Sequence, residues 1–513
     1  MPTLSRRAER HVVIDRRPGH YLCFPDVCRA DDGRLLVAYN EFDRHVGTRR
    51  RLLLRESADH GRSWSEPRIL RAENGHCPRF SRLSSGQMTL SDDAGSLLFW
   101  SANQGRDWCS QHMAGVSHGL LDRILELGAD TLLLTGHAAR GGVALPATRQ
   151  PLIEQMVYRS TNRGQTWAPW TVLARDPNLM LCEASMVRLP DGTILALMRE
   201  NSFVYEPMYA CVSTDDGDTW SEPRPTPLIG HRPTLGLTSG GGLLATYRNL
   251  GPDGGTAAWL GSVEELCSDF MVHGLAPSPG NPALTEDGLL IRNANGPEAP
   301  ARYALRPITD PQRAVAELEA RVLCRAAETN GCGLRFGVWW KIFPDRIVAE
   351  LPDAEPVRLR RGRFQNIRLV YAGGVVSLFV NGRPRQEISV DARAADTRPM
   401  VFGTRHASEE NGGEHVWQSL RLRITEPRYD RTYRWDWNAG QGLPDAQARA
   451  RVLELANDRK ASPPDYGYSG WCELPDGRFF CVFHHGGGDS PDYRPGFSSH
   501  VRGCWFEASD FDK

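Results

Sequence analysis

One short sequence, STDDGDTWSEP at Ser213, recurs along the chain. SADHGRSWSEP begins at Ser57, STNRGQTWAPW begins at Ser160, and a less complete copy, SANQGRDWCS, begins at Ser101. The copies are separated by roughly 45–60 residues, the length of a four-stranded blade in a β-propeller. This spacing predicts a blade architecture.

The repeated stretch has the composition of a tight turn, which we call the box turn. Its Asp or Asn side chain is suited to accept hydrogen bonds from nearby backbone N–H groups. Its glycine supplies positive φ, and its tryptophan is expected to pack between neighbouring sheets. These residues are Gly61, Gly164 and Gly217, with Trp64, Trp167 and Trp220. We therefore expect the box turn to be scaffold, away from the chemistry.

A second pattern lies between the box turns: an apolar strand, a Gly-containing turn and another apolar strand, which is typical of a β-hairpin. Its copies read CRADDGRLLVAY, SRLSSGQMTL, ILELGADTLLL, VRLPDGTILAL, LGLTSGGGLLATY and CELPDGRFFCVF. Five lie between about residues 20 and 275, and the sixth lies near residues 466–485. The pattern predicts six blades.

The sequence between the fifth and sixth hairpins lacks box turns and carries long strand patterns, such as FQNIRLVYAGGVVSLFVNGR. It predicts a β-sandwich inserted into the propeller, followed by a polar stretch with helical periodicity. The predicted fold class is therefore all-β, a six-bladed propeller with a sandwich between blades five and six. The predicted boundaries are 1–277 for blades one to five, 278–427 for the sandwich, 428–465 for a linker with a short helix, and 466–513 for blade six.

Composition excludes several function classes. The net charge of −1 gives no basic footprint for nucleic acid. There is no apolar run of about 18 residues, so no membrane partner is expected. The N-terminus lacks a signal-peptide core, which favours a cytoplasmic location. Twelve cysteines without paired spacing favour reduced thiols and predict no metal site. No cofactor is expected, and the oligomeric state stays open.

The box turns resemble the Asp boxes, or BNR repeats, of the sialidase superfamily. The inserted region resembles a concanavalin-like, laminin-G-type jelly roll, best seen in VSLFVNGR. The resemblance implies an exo-glycoside hydrolase that releases a terminal acidic sugar, such as sialic acid, from a glycan or small sugar substrate. It also implies a retaining mechanism with a tyrosine nucleophile.

The resemblance implies specific site residues. In YSGWCELPDG, Tyr468 matches the family nucleophile, and in CEASMVRLPDG, Glu183 matches its glutamate partner. Arg199 in ILALMREN and Arg248 in LLATYRNL match arginines that bind the substrate carboxylate. The acid/base residue is expected in YNEFDRHVG, as Asp43 or Glu41.

These residue types suit the chemistry. A carboxylate on the anomeric carbon of sialic acid would repel a carboxylate nucleophile, whereas a neutral phenol is not repelled. The phenol needs a base beside it, which Glu183 would provide. Arginine binds a carboxylate through two parallel hydrogen bonds and keeps its charge. A further acid, Asp43 or Glu41, would protonate the leaving oxygen.

The first blade departs from the family pattern. Where an arginine is expected before Pro25, YLCFPDV has Cys23 or Phe24. Arg79 in GHCPRF and Arg232 in GHRPTL are candidates to replace it. Histidines also recur at the starts of inner strands and the ends of second strands, which predicts a polar lining for a sugar pocket, with His118 and His231 as substrate-binding candidates. These histidines are His20, His76, His118, His231, His137 and His484.

Two other functions stay open. One is a propeller hydrolase or lyase for another sugar, such as a uronate or rhamnoside, which the missing arginine favours. The other is a carbohydrate-binding protein without catalytic activity, since propellers with these repeats are not all enzymes.

Overall fold

In the described part of the computed structural model, the strands form six antiparallel sheets of four strands and two larger antiparallel sheets. The chain divides into two units. One unit contains residues 2–202, 207–268 and 451–513, and the other contains residues 203–206 and 269–450. The structure describes residues 2–94, 96–144, 151–176, 179–201, 206–250, 254–268, 271–275, 281–296, 300–391, 399–406 and 408–511.

The first unit is a six-bladed propeller, as predicted. The chain begins with β1 (His11–Asp15) and then builds the blades in order. Blade one contains β2 (Tyr21–Arg29), β3 (Leu35–Phe42), β4 (Arg50–Ser57) and β5 (Arg68–Arg71). Blade two contains β6 (Arg79–Arg82), β7 (Met88–Asp92), β8 (Leu97–Ser101) and β9 (Cys109–His112).

The next blades repeat this arrangement. Blade three contains β10 (Leu125–Gly128), β11 (Thr131–Ala144), β12 (Pro151–Ser160) and β13 (Ala168–Ala174). Blade four contains β14 (Leu181–Arg188), β15 (Ile194–Glu200), β16 (Tyr209–Ser213) and β17 (Arg224–Pro225). Blade five begins with β18 (Gly230–Leu237), β19 (Leu243–Asn249) and β20 (Gly255–Gly261), followed by helix α1 (Val263–Leu266).

The second unit contains two antiparallel sheets. Its strands are β21 (His273–Leu275), β22 (Ala283–Thr285), β23 (Gly288–Asn293), β24 (Arg302–Leu305), β25 (Val315–Ala327), β26 (Gly333–Phe336), β27 (Val338–Ile342), β28 (Arg346–Ala349), β29 (Val357–Arg358), β30 (Gln365–Ala372), β31 (Val375–Val380), β32 (Arg383–Ser389), β33 (Met400–Gly403), β34 (Gly413–Glu426) and β35 (Arg431–Asn438). Seven strands pair in the order β21-β24-β33-β26-β27-β28-β29, and the rest pair as β22-β23-β34-β25-β30-β31-β32, with β35 against β34.

The two sheets pack against each other through apolar side chains. The ring of Phe402 in β33 lies 5.2 Å from the ring of Trp417 in β34, measured between centroids. Along β25, buried and more exposed residues alternate, as expected for strands with one face on a core. The turn at Asn381-Gly382 joins β31 to β32, and both residues have positive φ.

The segment predicted as a linker is largely built into sheets. It supplies β35 to the second unit, a short helix α2 (Ala446–Arg449), and β36 (Val452–Asn457), which pairs with β20 as the outer strand of blade five. The sequence of β36 has helical periodicity, but blade five would otherwise end in an unpaired edge at β20. The predicted boundary at residue 277 falls outside the described residues.

Blade six closes the ring with strands from both ends of the chain. It contains β37 (Ser469–Glu473), β38 (Phe479–His485) and β39 (His500–Phe506), and β1 pairs with β39 as its outermost strand. Short 3₁₀ helices occupy Ala8–Arg10, Pro427–Tyr429, Ala439–Gln441, Pro463–Asp465 and Ala508–Asp510. Among the described residues, no helix has the length and apolar character needed to cross a membrane.

The second strands of the propeller are largely buried because neighbouring blades cover them on both faces. Every residue of β3 and of β15 is buried, whereas the outer strand β5 is exposed or half-buried. The apolar clusters lie between adjacent blades; Leu36 of blade one, for example, packs with Phe80 and Leu90 of blade two. This burial explains why the second strands read as continuous apolar runs.

The box turns have the predicted local geometry. In the first, Ser57 Oγ accepts from the Gly61 N–H at 2.8 Å, and Asp59 Oδ1 accepts from the Ser63 N–H at 2.9 Å. Gly61 has φ of 91°, and Trp64 stacks 6.0 Å from Phe480 of blade six. The turn therefore fastens one blade to the next.

Candidate active site

The inner strands share a backbone feature where they begin. A residue other than glycine adopts left-handed φ there in five blades, and the strand pairing shifts register at this point in blades one, four and five. These residues are Phe24, Cys77, Leu120, Glu183 and Arg232, with φ of 53°, 47°, 50°, 49° and 49°. Such a bulge redirects a side chain and costs of order 1–3 kcal/mol, so it is typical of functional sites.

The second strands of different blades carry residues at equivalent positions in the strand pairing, which we call the common level. Ser91 pairs with Arg79, Leu197 with Ser185 and Thr246 with Thr234, each just after the bulge of the inner strand. Side chains alternate along a strand, so the residue two positions after each of Ser91, Leu197 and Thr246 lies on the same face of its own blade as that residue. These residues occupy equivalent positions in their three blades. They are Asp93, Arg199 and Arg248, and the same register gives Asn40 and His137 in blades one and three.

Tyr468, Glu183 and Arg199 form one hydrogen-bonded cluster. The Tyr468 hydroxyl donates to Glu183 Oε1 at 2.9 Å and accepts from Arg199 Nη1 at 2.7 Å. Arg199 Nη1 also lies 3.0 Å from both oxygens of Glu183. Glu183 in β14, Arg199 in β15 and Tyr468 directly before β37 therefore meet at one point, although they come from separate stretches of sequence.

Arg248 completes the cluster as a cation. Its guanidinium carbon lies 4.2 Å from the centre of the Tyr468 ring, and its N–H groups donate to the carbonyl oxygens of Tyr466 and Pro464. The residue is buried, and none of the described carboxylates forms an ion pair with it. A buried guanidinium without a carboxylate partner is favourable for binding an anion.

Gly467 allows this close approach. Its φ is 87°, and a Cβ at this position would lie 2.7 Å from the Cα of Arg248. Only glycine fits between Tyr468 and the strand that carries Arg248.

The pKa values of the cluster move in opposite directions. Burial raises the pKa of Tyr468 to about 12 against the opposing effect of Arg199, so its hydroxyl stays protonated. Burial would also raise the pKa of Glu183, but the charges of Arg199 and Arg232 lower it to about 2. The cluster therefore holds a neutral phenol beside an ionised carboxylate.

Aromatic rings occupy the place where the family arginine is expected. Phe24 contacts Tyr468, with ring centroids 5.1 Å apart, and it also lies near His45, His76 and His484. Because Phe24 precedes Pro25 in left-handed φ, its ring points into this cluster instead of continuing the strand pattern. The recurring residue–proline pairs at 24–25, 77–78 and 232–233 were a sequence signal for these bulges.

His137 belongs to the cluster, although the sequence showed it only as one of the recurring histidines. Its Nδ1 accepts a hydrogen bond from the Glu183 backbone N–H at 3.2 Å. Burial lowers the pKa of His137 to about 4, so the ring is neutral at neutral pH and suited to this acceptor role. His137 therefore fixes the backbone that carries Glu183.

The two acid/base candidates lie elsewhere. Glu41 is buried and forms ion pairs with Arg17, Arg49, Arg51 and His20 at 2.8, 3.1, 3.5 and 3.3 Å. Burial would raise the pKa of Glu41, but these charges, Arg17 foremost, lower it, so it is a poor proton donor. Asp43 lines a separate cavity of about 510 Å³ and accepts from the Arg49 N–H. Neither contacts the cluster.

The two arginines considered as replacements, Arg79 and Arg232, form hydrogen bonds to residues of other blades. Arg79 donates to Asp122, Thr234 and the Ser469 carbonyl, and only 3% of its side chain is exposed. Arg232 is fully buried and donates to the carbonyl oxygens of Leu120 and Leu121. Arg79 is therefore a structural residue, whereas Arg232 acts on the site through its charge beside Glu183.

The two predicted histidines differ in position. His231 lies beside Arg199 and Arg248, and burial together with both charges holds its pKa well below the usual value. His118 instead hydrogen-bonds Tyr158 of blade three and has no contact with the Tyr468 cluster among the described residues. Within the same residues, no group of three or more His, Cys, Asp and Glu is arranged to hold a metal ion.

Comparisons with known proteins agree with the propeller. Residues 80–247 match the model of the BNR repeat-like domain, which confirms the predicted repeat. A protein of unknown function from Dyadobacter fermentans DSM 18053 has a similar structure, with a TM-score of 0.51, 13% identity and coverage of 97% of this chain and 98% of that one. The class defined by fold and repeat is thus a six-bladed BNR-repeat propeller.

Weaker similarities reach two proteins with stated ligands. A Penicillium chrysogenum alpha-L-arabinanase complexed with arabinobiose has a TM-score of 0.38 and 14% identity, covering 51% of this chain and 84% of that one. A Trypanosoma rangeli sialidase in complex with sialic acid has a TM-score of 0.33 and 13% identity, covering 80% and 83%. No curated protein matches the sequence.

Proposed function

We propose that this protein is a retaining exo-glycoside hydrolase that releases a terminal acidic sugar, sialic acid or a similar one, with Tyr468 as nucleophile. The observation that carries the proposal is the position of the Tyr468 hydroxyl between Glu183 and Arg199, beside the cation Arg248, which pairs with none of the described carboxylates. The partner is a glycan or small sugar substrate.

The charges of the cluster favour an anionic sugar. Arg199 is paired with Glu183, and Arg79 and Arg232 share Asp122 at 2.8 and 3.9 Å, while Arg248 has no described carboxylate partner. The site therefore carries excess positive charge in a buried place, where electrostatic attraction to a carboxylate is strong. A sugar carboxylate that contacts Arg248 and shares Arg199, whose Nε has no hydrogen-bond partner among the described residues, would offset it.

The same groups supply a nucleophile and its base. Glu183 accepts the phenol proton as the Tyr468 oxygen forms a bond to the anomeric carbon and the bond to the leaving oxygen breaks. With its pKa near 2, Glu183 is a weak base in the free protein. A substrate carboxylate that shares Arg199 would weaken the hold of this arginine on Glu183 and raise the pKa of the base.

A second candidate is a hydrolase or lyase for a uronate. Phe24 fills the position where a third arginine is expected, so the carboxylate would be bound by fewer cations than the family pattern provides. A uronate carries its carboxylate away from the anomeric carbon, and binding it does not require a three-arginine arrangement.

The test is a panel of aryl glycosides with the wild-type chain and Tyr468→Phe. The panel contains 4-nitrophenyl glycosides of sialic acid, glucuronic acid and rhamnose, and unsaturated product is followed by ultraviolet absorbance on a uronate polymer. We expect turnover of the sialoside and at least a 10³-fold loss in Tyr468→Phe, as is typical when a nucleophile is removed.

Other results separate the alternatives. Turnover of the uronide or rhamnoside alone would support the second sugar class, and unsaturated product would indicate a lyase. Retention of the wild-type rate in Tyr468→Phe would refute the nucleophile assignment. Binding of sialyllactose in calorimetry without turnover of any probe would indicate a carbohydrate-binding protein without catalytic activity.

A further inference from the structure

A retaining glycosidase needs a proton donor for the leaving oxygen, and neither Asp43 nor Glu41 is placed to act as one. The remaining titratable pair at the common level is Asp93 with His76, in blade two. Asp93 occupies the same register position as Arg199 and Arg248, two residues beyond the pairing partner of the inner strand. His76 immediately precedes the left-handed residue of its own inner strand.

The two side chains form a close pair. His76 Nδ1 lies 2.6 Å from Asp93 Oδ1, and the side chain of Asp93 is 5% exposed. The backbone of His76 is fixed as well, because its N–H donates to Asp92 Oδ1 at 2.9 Å and its carbonyl accepts from the Asp93 N–H. Both the ring and its backbone are therefore held by the end of β7.

The other edge of the ring is available. His76 Nε2 makes no hydrogen bond within the described residues, and the side chain is 24% exposed. Asp93 Oδ2 is buried without a hydrogen-bond partner in the same part of the chain. A buried carboxylate with an unsatisfied oxygen is costly, and fixing the orientation of a catalytic imidazole is a function that would retain it.

Phe24 places this pair next to the nucleophile. The ring of Phe24 lies 5.3 Å from the His76 ring and 5.1 Å from the Tyr468 ring, measured between centroids. Phe42 stacks on His76 at 6.0 Å, with an interplanar angle of 19°. The imidazole and the phenol therefore both contact the ring of Phe24, which is consistent with two groups that act on one sugar carbon.

We propose that His76 is the acid/base residue of the hydrolase and that Asp93 is its positioning residue; this rests on the proposed function. In the first step, His76 Nε2 donates its proton to the glycosidic oxygen as the bond to the anomeric carbon breaks and Tyr468 bonds to that carbon. In the second step, Nε2 takes a proton from the water that attacks the anomeric carbon and releases Tyr468, whose oxygen recovers its proton from Glu183.

The experiment compares two leaving groups on one sugar. The variants are His76→Gln and Asp93→Asn, with His112→Gln on the exposed outer strand β9 of the same blade as a matched control. The probes are 4-nitrophenyl α-sialoside, whose nitrophenolate leaves without protonation, and 3′-sialyllactose, whose leaving oxygen needs a proton. If the panel selects the uronide, 4-nitrophenyl and methyl glucuronide replace them. Circular dichroism establishes that each variant is folded.

We expect His76→Gln to lower kcat/KM on sialyllactose by about 10²–10⁴-fold, the usual contribution of a general acid, and by less than about tenfold on the nitrophenyl probe. Asp93→Asn should show the same preference for the activated probe with a smaller loss, and it provides the test if His76→Gln does not fold. His112→Gln should match the wild type on both.

The contrary results are distinct. Equal losses on both probes, or none, in folded His76→Gln and Asp93→Asn would refute the acid/base assignment while leaving the glycosidase proposal intact. Failure of the wild-type chain to turn over any probe would refute the proposed function and this assignment with it.

Discussion

Replacing Glu183 with glutamine tests the charge balance of the cluster directly. The carboxylate is 3% exposed and pairs with Arg199 Nη1 at 3.0 Å through both oxygens. Glutamine keeps the size of the side chain but leaves the buried guanidinium without a counter-charge. Breaking a buried pair by removing one partner costs about 3–5 kcal/mol.

The pKa of Glu183 gives a second value for the same cost. Its folded pKa of about 2 lies below its ordinary value of 4.5, which corresponds to about 3 kcal/mol of stability. Because the folded pKa is lowered, this stability is fully present above the ordinary value and is lost as the pH falls from there toward about 2. The wild type and Glu183→Gln should therefore differ by about 3 kcal/mol at about pH 7 and by less at about pH 3.

The assay is urea unfolding followed by tryptophan fluorescence at both pH values. Glu56→Gln is the control, because Glu56 pairs with Arg34 at 2.5 Å but is 30% exposed, and a surface pair contributes less than about 1 kcal/mol. If Glu183→Gln costs no more than Glu56→Gln at neutral pH, or if its cost does not shrink in acid, the assignment of a buried, ionised Glu183 is wrong.

Three further predictions follow from single contacts. Arg248→Gln should raise KM for the acidic sugar by about 10–100-fold with a smaller effect on kcat, since one charge-assisted hydrogen bond to the substrate is lost. Steady-state kinetics in which kcat falls and KM stays unchanged would instead indicate a structural role for Arg248. Gly467→Ala places a Cβ 2.7 Å from the Cα of Arg248, so both the melting temperature and turnover should fall, and an unchanged variant would contradict the close approach. Asp59→Ala should destabilise the first box turn by about 1 kcal/mol, and Asp59→Asn should destabilise it less. An asparagine can make this bond, because in the box turn of blade three Asn162 accepts from the Thr166 N–H at 3.0 Å. Equal losses of thermal stability in the two variants would refute this prediction.

The site was only partly predictable. The structure brings together Tyr468, Glu183, Arg199 and Arg248, the residues that the family resemblance implied, because each follows or precedes a hairpin turn at a similar distance along its strand. The assignment of Asp43 or Glu41 stays a prediction: Glu41, near the end of β3, pairs with arginines, and Asp43 lies in the loop after β3, where no strand fixes its position. His76 was noticed only as one of several histidines, since its partner Asp93 follows a different strand.

The sequence by itself determined the repeating parts: the box turns, the hairpins and the apolar second strands follow from local hydrogen bonding, glycine φ and burial on both faces. The tertiary structure decided which distant residues meet. Closure of the ring brought β1 to β39 and Tyr468 to Glu183, edge pairing turned a helical pattern into β36, and left-handed bulges before Pro25, Pro78 and Pro233 redirected the side chains of Phe24, Cys77 and Arg232. These outcomes depend on contacts between residues far apart in the chain, which no local pattern encodes.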